Sequence, residues 1–239
     1  MRSLTHGDLF SEIGGFSLAA RWMGWRTAWF SEIEPFPCAV LAHHYPETQN
    51  LGNMMEIKED QIGTFDLLVG GTPCQSFSVA GLRGGLDDAR GNLALRFVQL
   101  ASYVRPRWVV WENVPGVLST ADNAFGCFLA GLAGEDDPLV PAGGKWPNAG
   151  AVFGPQRTVA WRVLDAQYFG VAQRRRRVFV VASARDGFDP AAVLFEFDGV
   201  RRDTAPSREA RQGVAGGAAA GTEGGRLTEL NPTLDTRAK

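Results

Sequence analysis

Through the first 199 residues, short apolar runs alternate with longer segments whose apolar positions recur near helical spacing. The runs Asp8–Phe10, Thr27–Glu32, Leu67–Gly70, Trp108–Glu112 and Arg177–Ala182 read as strands. The segments Phe16–Met23, Pro35–His43, Leu93–Tyr103 and Val159–Gln167 read as helices. Strand and helix in alternation predict an α/β fold with a doubly wound sheet. Several of the runs are apolar on both faces, as strands buried within a parallel sheet are. From Glu135 to Pro155 the chain is rich in Gly, Pro and Asp and reads as a long surface loop. Beyond Asp198 come Arg201, Arg202 and a Gly/Ala stretch over Gly213–Gly225. That composition buries too little apolar area to offset ordering entropy, so disorder is expected there. Two regions follow from this: a folded domain over 1–199 and a low-complexity stretch over 200–239.

Composition narrows the class. With 239 residues, 45% of them hydrophobic, the chain can bury a sizeable core. The longest apolar runs, such as Trp108–Trp111 and Phe179–Ala182, are far too short to span a bilayer. The N-terminus lacks the basic and apolar segments of a secretory signal, so a cytoplasmic location without membrane association is expected. The formal net charge is −2, which excludes a uniformly basic nucleic-acid binder but not local clusters of cations. The cysteines Cys38, Cys74 and Cys127 are odd in number and form no CxxC pair. This argues against a disulfide framework and against a bound metal.

Two loops carry candidate chemistry. In Asp8-Leu9-Phe10-Ser11-Glu12-Ile13-Gly14-Gly15-Phe16 a buried strand runs through a glycine pair into a helix. Such a turn admits a ligand close to the backbone. About twenty residues on, Glu32 ends the second strand, where an acid can accept ribose hydroxyls. The pattern is not GxGxxG, so a nucleoside without pyrophosphate fits better than a dinucleotide. The sharper signal is Gly70-Gly71-Thr72-Pro73-Cys74-Gln75-Ser76-Phe77-Ser78, which follows the strand Leu67–Gly70. An isolated cysteine is most simply a packing residue. One on a polar loop at the carboxyl end of an α/β strand is placed to act as a nucleophile.

Four blocks, in order, resemble the C5-cytosine DNA methyltransferases. Asp8-Leu9-Phe10 with Gly14-Gly15-Phe16 is similar to that family's cofactor loop, and the Pro73-Cys74 run to its catalytic loop. Trp111-Glu112-Asn113-Val114 resembles its glutamate motif, and Gln173-Arg174-Arg175-Arg176-Arg177-Val178 its arginine motif. The resemblance implies a Rossmann-like, doubly wound, mostly parallel sheet of the class I S-adenosylmethionine-dependent type. It also implies S-adenosyl-L-methionine as cofactor and double-stranded DNA as partner. The implied catalytic residues are Cys74 as nucleophile at cytosine C6, Glu112 at N3 and the exocyclic amine, and Arg175 and Arg177 toward the flipped base. The implied cofactor contacts are Phe10, Ile13, Gly15, Glu32, Ile33, Asn53, Met54, Gly71, Pro73 and Leu93, and the DNA contacts are Gln75 and Ser78. For Arg174 and Arg176 a solvated patch or a phosphate contact is the plainer expectation.

The chain departs from the family pattern at three places. Glu12 stands where the family often has a small residue such as glycine, and Asn53 where it usually has an aspartate that bonds the adenine amine. In the family, a target-recognition region and a segment that completes the cofactor pocket follow the arginine motif. Here only Leu227–Leu234 resembles the start of that segment. These features leave three expectations: a monomer truncated at its C-terminus, a chain completed by a second one, or an inactive relative with a binding or regulatory role. A thiol hydrolase pairing Cys74 with His6, His43 or His44 is disfavoured because none of the histidines sits in a partner motif. A nicotinamide oxidoreductase is disfavoured by the missing pyrophosphate loop.

Overall fold

The computed structural model describes residues 2–73, 93–185, 189 and 191–195. Cys74, Gln75, Ser78 and the stretch 200–239 lie outside the described residues.

The described strands are β1 (Thr5–Leu9), β2 (Arg26–Ser31), β3 (Gln49–Asn50), β4 (Leu67–Gly70), β5 (Trp108–Asn113), β6 (Ala149–Phe153), β7 (Thr158–Asp165) and β8 (Arg176–Ser183). They form one sheet in the order β3-β2-β1-β4-β5-β8-β7-β6. Pairing is parallel from β3 through β5, then antiparallel between β5 and β8 and between β6 and β7. The helices are α1 (Gly15–Trp22), α2 (Pro35–His44), α3 (Leu93–Val104), α4 (Ala124–Ala133) and the single turn α5 (Ala191–Leu194). The expected doubly wound, mostly parallel sheet is therefore present. None of the helices among the described residues is long and apolar enough to cross a membrane.

Strand order reverses at β1. From it the chain moves outward through β2 and β3 on one side, and through β4 and β5 on the other. The carboxyl ends of β1 and β4 flank that reversal, which is where open α/β sheets bind ligands.

The segment 159–167, expected as a helix, is instead strand β7 followed by a 3-10 turn over Ala166–Phe169. Val159, Ala160 and Trp161 are buried in succession, and β7 pairs with β6 from Thr158↔Phe153 to Arg162↔Ala149. An apolar run this short fits either period, and its β-branched and aromatic content favours the strand once a partner is available. That partner, β6, lies inside the stretch 135–155 that was expected to be loop throughout. Phe125, Trp146 and Trp161 meet edge-to-face beneath this end of the sheet, with ring centroids 5.3 to 5.8 Å apart.

The chain divides into two compact units. One comprises Met1–Leu164 with Arg177–Phe197; the described part of the other is Asp165–Arg176. Within the second, the Asp165 carboxylate accepts from the N–H of Gln167 (3.3 Å), the Gln167 side chain (2.7 Å) and the N–H of Arg175 (3.1 Å). The Ala166 N–H donates to the Arg175 carbonyl at 3.0 Å, closing the base of the loop.

Candidate active site

The loop after β1 is held in a demanding conformation. Phe10, Glu12 and Gly14 have φ of 53°, 46° and 86°, all left-handed. Glycine adopts that region freely and other residues at a cost of about 1–2 kcal/mol. A glycine would therefore sit at position 12 without that cost. The Ser11 hydroxyl donates to the Asp8 carbonyl at 2.6 Å and accepts from the Ser31 N–H at 3.2 Å, tying the loop to β2.

Glu32, just past β2, is buried, and its carboxylate organises both strand ends. Oε2 accepts the Glu12 N–H at 2.8 Å; Oε1 accepts those of Ile33 and Glu34 at 2.7 and 2.8 Å. Two carboxylate oxygens offer about four acceptor sites, so about one remains for a ligand hydroxyl. Asn50, which the sequence did not single out, holds Glu32 from behind. Its amide donates to the Glu32 carbonyl (3.0 Å) and its Oδ1 accepts the N–H groups of Glu32 and Gly52 (both 3.1 Å). Beside these loops Ile13 and Ile33 stand 60% and 63% exposed, so each strand end presents an apolar side chain.

The other expected cofactor residues fall in varied settings. A Cβ on Gly15 would meet no atom within 4 Å, so the helix start is open there. Asn53 already uses its side-chain oxygen for the Met55 N–H at 3.0 Å and its amide for Glu56 at 3.2 Å. Met54 is buried in the core, Phe10 and Leu93 pack partly buried against it, and Pro73 is exposed. Arg96 on α3 donates to the Ile57 carbonyl at 2.6 Å, bracing the 54–57 turn.

Two residues expected to be catalytic, Glu112 and Arg177, meet beside the carboxyl ends of β4 and β5. On β5, Glu112 lies directly opposite Phe179 of antiparallel β8. Arg177, two residues along, shares that face and is its diagonal neighbour. The Arg177 Nε donates to Glu112 Oε1 at 2.9 Å, both side chains being 24% exposed. Across from them is Gly71, where a Cβ would come within 3.2 Å of Glu112 Oε2 and of the Glu112 carbonyl. The missing side chain at Gly71 lets the carboxylate stand beside the loop that leads into Cys74. Trp111 and Asn113, on the opposite face of β5, fix the start of that loop. The indole N–H donates to the Thr72 hydroxyl at 3.0 Å, and the Asn113 amide to the Thr72 carbonyl at 2.7 Å. Arg175 is exposed and lies in the second unit.

Beneath the first loop is a buried polar cluster that sequence reasoning missed. Ser17 on α1 donates to Asp8 Oδ2 at 2.7 Å, and His6 Nε2 lies 3.0 Å from the same hydroxyl. A serine has one hydroxyl hydrogen, so with it on Asp8 the histidine contact needs an Nε2–H donor. His6 Nδ1 and Asp8 Oδ1 have no partner. Burial, and then the nearby Glu32 charge, push Asp8 up to about 7 against the hydrogen bond from Ser17. Burial lowers His6 to about 4. The packing role expected of an isolated cysteine is met by Cys127, buried in α4 with its thiol pKa raised by burial.

The chain is similar to known DNA methyltransferases. A family model described as C-5 cytosine-specific DNA methylase matches residues 4–133 and 156–199. A protein of Escherichia phage P1 named DNA N-6-adenine-methyltransferase is 53% identical, over 98% of this chain and 35% of its own length. The type II methyltransferase M.AquIA of Picosynechococcus is 35% identical, over 74% of this chain and 70% of its own. The chain thus spans about a third of the phage P1 relative. A solved structure of a DNA modification methyltransferase encoded within an E. coli prophage superposes with a TM-score of 0.56. It shares 23% identity, over 76% of this chain and 47% of that one, a likeness of fold.

Proposed function

The chain belongs to the C-5 cytosine-specific DNA methylase family, and on that premise we propose that it transfers a methyl group to carbon 5 of a cytosine in DNA. The observation that carries the reading is the pair Glu112–Arg177 standing at Gly71, three residues before Cys74.

Carbon 5 of cytosine is too weak a nucleophile to attack a methyl sulfonium unaided. The Cys74 thiolate adds to C6, and the electrons displaced into the ring make C5 an enamine carbon. Glu112, hydrogen-bonded to N3 and the exocyclic amine, stabilises the charge that develops there. Arg177 orients Glu112 through Nε and meets the O2 edge of the base. Once C5 carries the methyl group, loss of the C5 proton expels the thiolate and restores the ring. The target carbon is inaccessible in stacked duplex, so the base leaves the helix first.

The residues present fit S-adenosyl-L-methionine, which when bound supplies an electrophilic methyl on sulfur. Glu32 has about one acceptor site for a ribose hydroxyl, Ile13 and Ile33 offer apolar faces for a purine, and the α1 start is open at Gly15. Asn53 keeps at most one side-chain acceptor site for the adenine amine.

The name of the phage P1 relative favours a second target, the adenine amine. The nitrogen of an exocyclic amine attacks the methyl group directly and needs no covalent activation of the ring, so Cys74 would then have no task. Labelled S-adenosylmethionine and mixed-sequence duplex DNA, with the product hydrolysed to nucleosides, separate the readings. The expected product is 5-methylcytosine, lost in Cys74→Ser and reduced about 10²–10³-fold in Glu112→Gln. Labelled N6-methyladenine would transfer the assignment to adenine. No incorporation, with cofactor still bound, would mark the chain as an inactive relative.

A further inference from the structure

Resting on the S-adenosylmethionine cofactor of that reading, we propose that Asn50 is a positioning residue for the ribose, its side-chain amide holding Glu32 and the turn at Gly52 together. Parallel pairing of β2 with β3 matches Trp29 to Gln49 and Phe30 to Asn50, and the Leu51 N–H donates to the Phe30 carbonyl at 2.8 Å. At Glu32 the pairing passes from backbone to side chain. Asn50 Oδ1 accepts the Glu32 N–H at 3.1 Å, and Nδ2 donates to the Glu32 carbonyl at 3.0 Å. A primary amide presents a donor and an acceptor side by side, as a peptide group does, so it extends the sheet past the backbone of β3.

The same side chain reaches two other places. Oδ1 also accepts the Gly52 N–H at 3.1 Å, closing an Asx turn onto a glycine with φ of 72°. Nδ2 also donates to the Cys38 thiol of α2 at 3.3 Å. The Ser31 hydroxyl donates to the Gly52 carbonyl at 2.7 Å, which fixes the turn leading into Asn53 to the end of β2. An asparagine amide has two donors and about two acceptor sites, and all of them are taken. Asn50 is therefore saturated and acts through the groups it holds, not by touching a ligand. Chief among these is the backbone of Glu32, whose carboxylate keeps about one acceptor site for a ribose hydroxyl. Hydrogen bonds weaken steeply with poor alignment, so an acid free to shift loses that hydroxyl.

The test measures binding of S-adenosylhomocysteine and of its 2′,3′-dideoxy counterpart to the 239-residue chain, a readout independent of methyl transfer. The wild type should prefer the hydroxylated ligand by about tenfold. Asn50→Leu should narrow that preference to within about twofold. Asn50→Asp keeps both accepted N–H bonds but has no donor for the Glu32 carbonyl, and should narrow it part of the way. The aspartate variant also answers the question if leucine unfolds the chain. Gln49→Leu, at the neighbouring exposed position of β3, should keep the wild-type preference. A residue that only stabilised the fold would weaken both ligands alike. An unchanged preference in the leucine and aspartate variants therefore overturns the proposal, as does an equal narrowing in Gln49→Leu. A wild-type chain that binds neither ligand overturns the cofactor reading and this role with it. One that binds both, with a preference the Asn50 variants leave unaltered, sinks only the role of Asn50.

Discussion

Glu112 and Arg177 are 65 residues apart in sequence and reach one another at 2.9 Å through the register of two antiparallel strands. Both were legible as motif residues; their pairing was not, because it depends on which strand β8 joins. Glu32 was likewise found in sequence, but the hydrogen bond it accepts from the Glu12 N–H depends on the left-handed Glu12, which no pattern announces. The Asp8–Ser17–His6 cluster was invisible because its members lie on two elements that meet only when α1 packs on the sheet. It predicts a pH signature. Folded Asp8 keeps its proton up to about 7, whereas the unfolded carboxyl releases it near 3.8. The unfolded state binds fewer protons in that window, so stability falls as pH rises through it. Folded His6 stays neutral down to about 4 against 6.5 when unfolded, so its contribution rises over that narrower range. The two oppose each other in the wild type. Asp8→Asn, which can still accept from Ser17, removes the falling part. Urea midpoints of the variant should therefore climb from pH 4 to 6.5 and then level. Midpoints that track the wild type across the whole range would contradict the cluster.

At the scale of elements, the parallel half of the fold was readable and the antiparallel half was not. The strands β1, β2, β4, β5 and β8 each match an apolar run to within a few residues. Helix α4 escaped notice because eight of its ten residues are buried, and a helix apolar all round has no periodic face to detect. Strand β7 was mistaken for a helix because its partner β6 sat in a Gly- and Pro-rich stretch. Besides the Phe97–Phe128 ring contact and the shared apolar core, one buried side chain hydrogen-bonds to both α3 and α4. Buried Arg157 donates to the Ala101 carbonyl at 2.8 Å and the Leu132 carbonyl at 3.1 Å, in the last turns of the two helices. A cation there also suits the negative ends of both helix dipoles. Burial, and then Arg105, pull its pKa below the ordinary arginine range, so it is held at a cost. Arg157→Leu should lower stability by about 2 kcal/mol in urea unfolding, since two buried carbonyls lose a charge-assisted donor. A variant as stable as the wild type would show that relieving the buried charge outweighs those bonds.

For the whole molecule, strand order decides where the candidate site sits. Because the chain leaves β1 toward β2 and leaves β4 toward β5, the two glycine-bearing loops start at the carboxyl ends of adjacent parallel strands, and β5 brings Glu112 to the same end of the sheet. The family model covers most of this scaffold, and the described parts of the four motif blocks fall on its loops and strand ends. The account's central claim is that cytosine is activated covalently from this end of the sheet by Cys74. Duplex DNA carrying 5-fluorocytosine tests it most directly, because fluorine at C5 cannot leave as a proton does and the thioether persists. With S-adenosylmethionine present, the wild-type chain should give a denaturation-resistant one-to-one complex with this DNA, attached at Cys74, and Cys74→Ser should give none. Methyl transfer to ordinary DNA by a wild-type chain that forms no such complex would contradict the account.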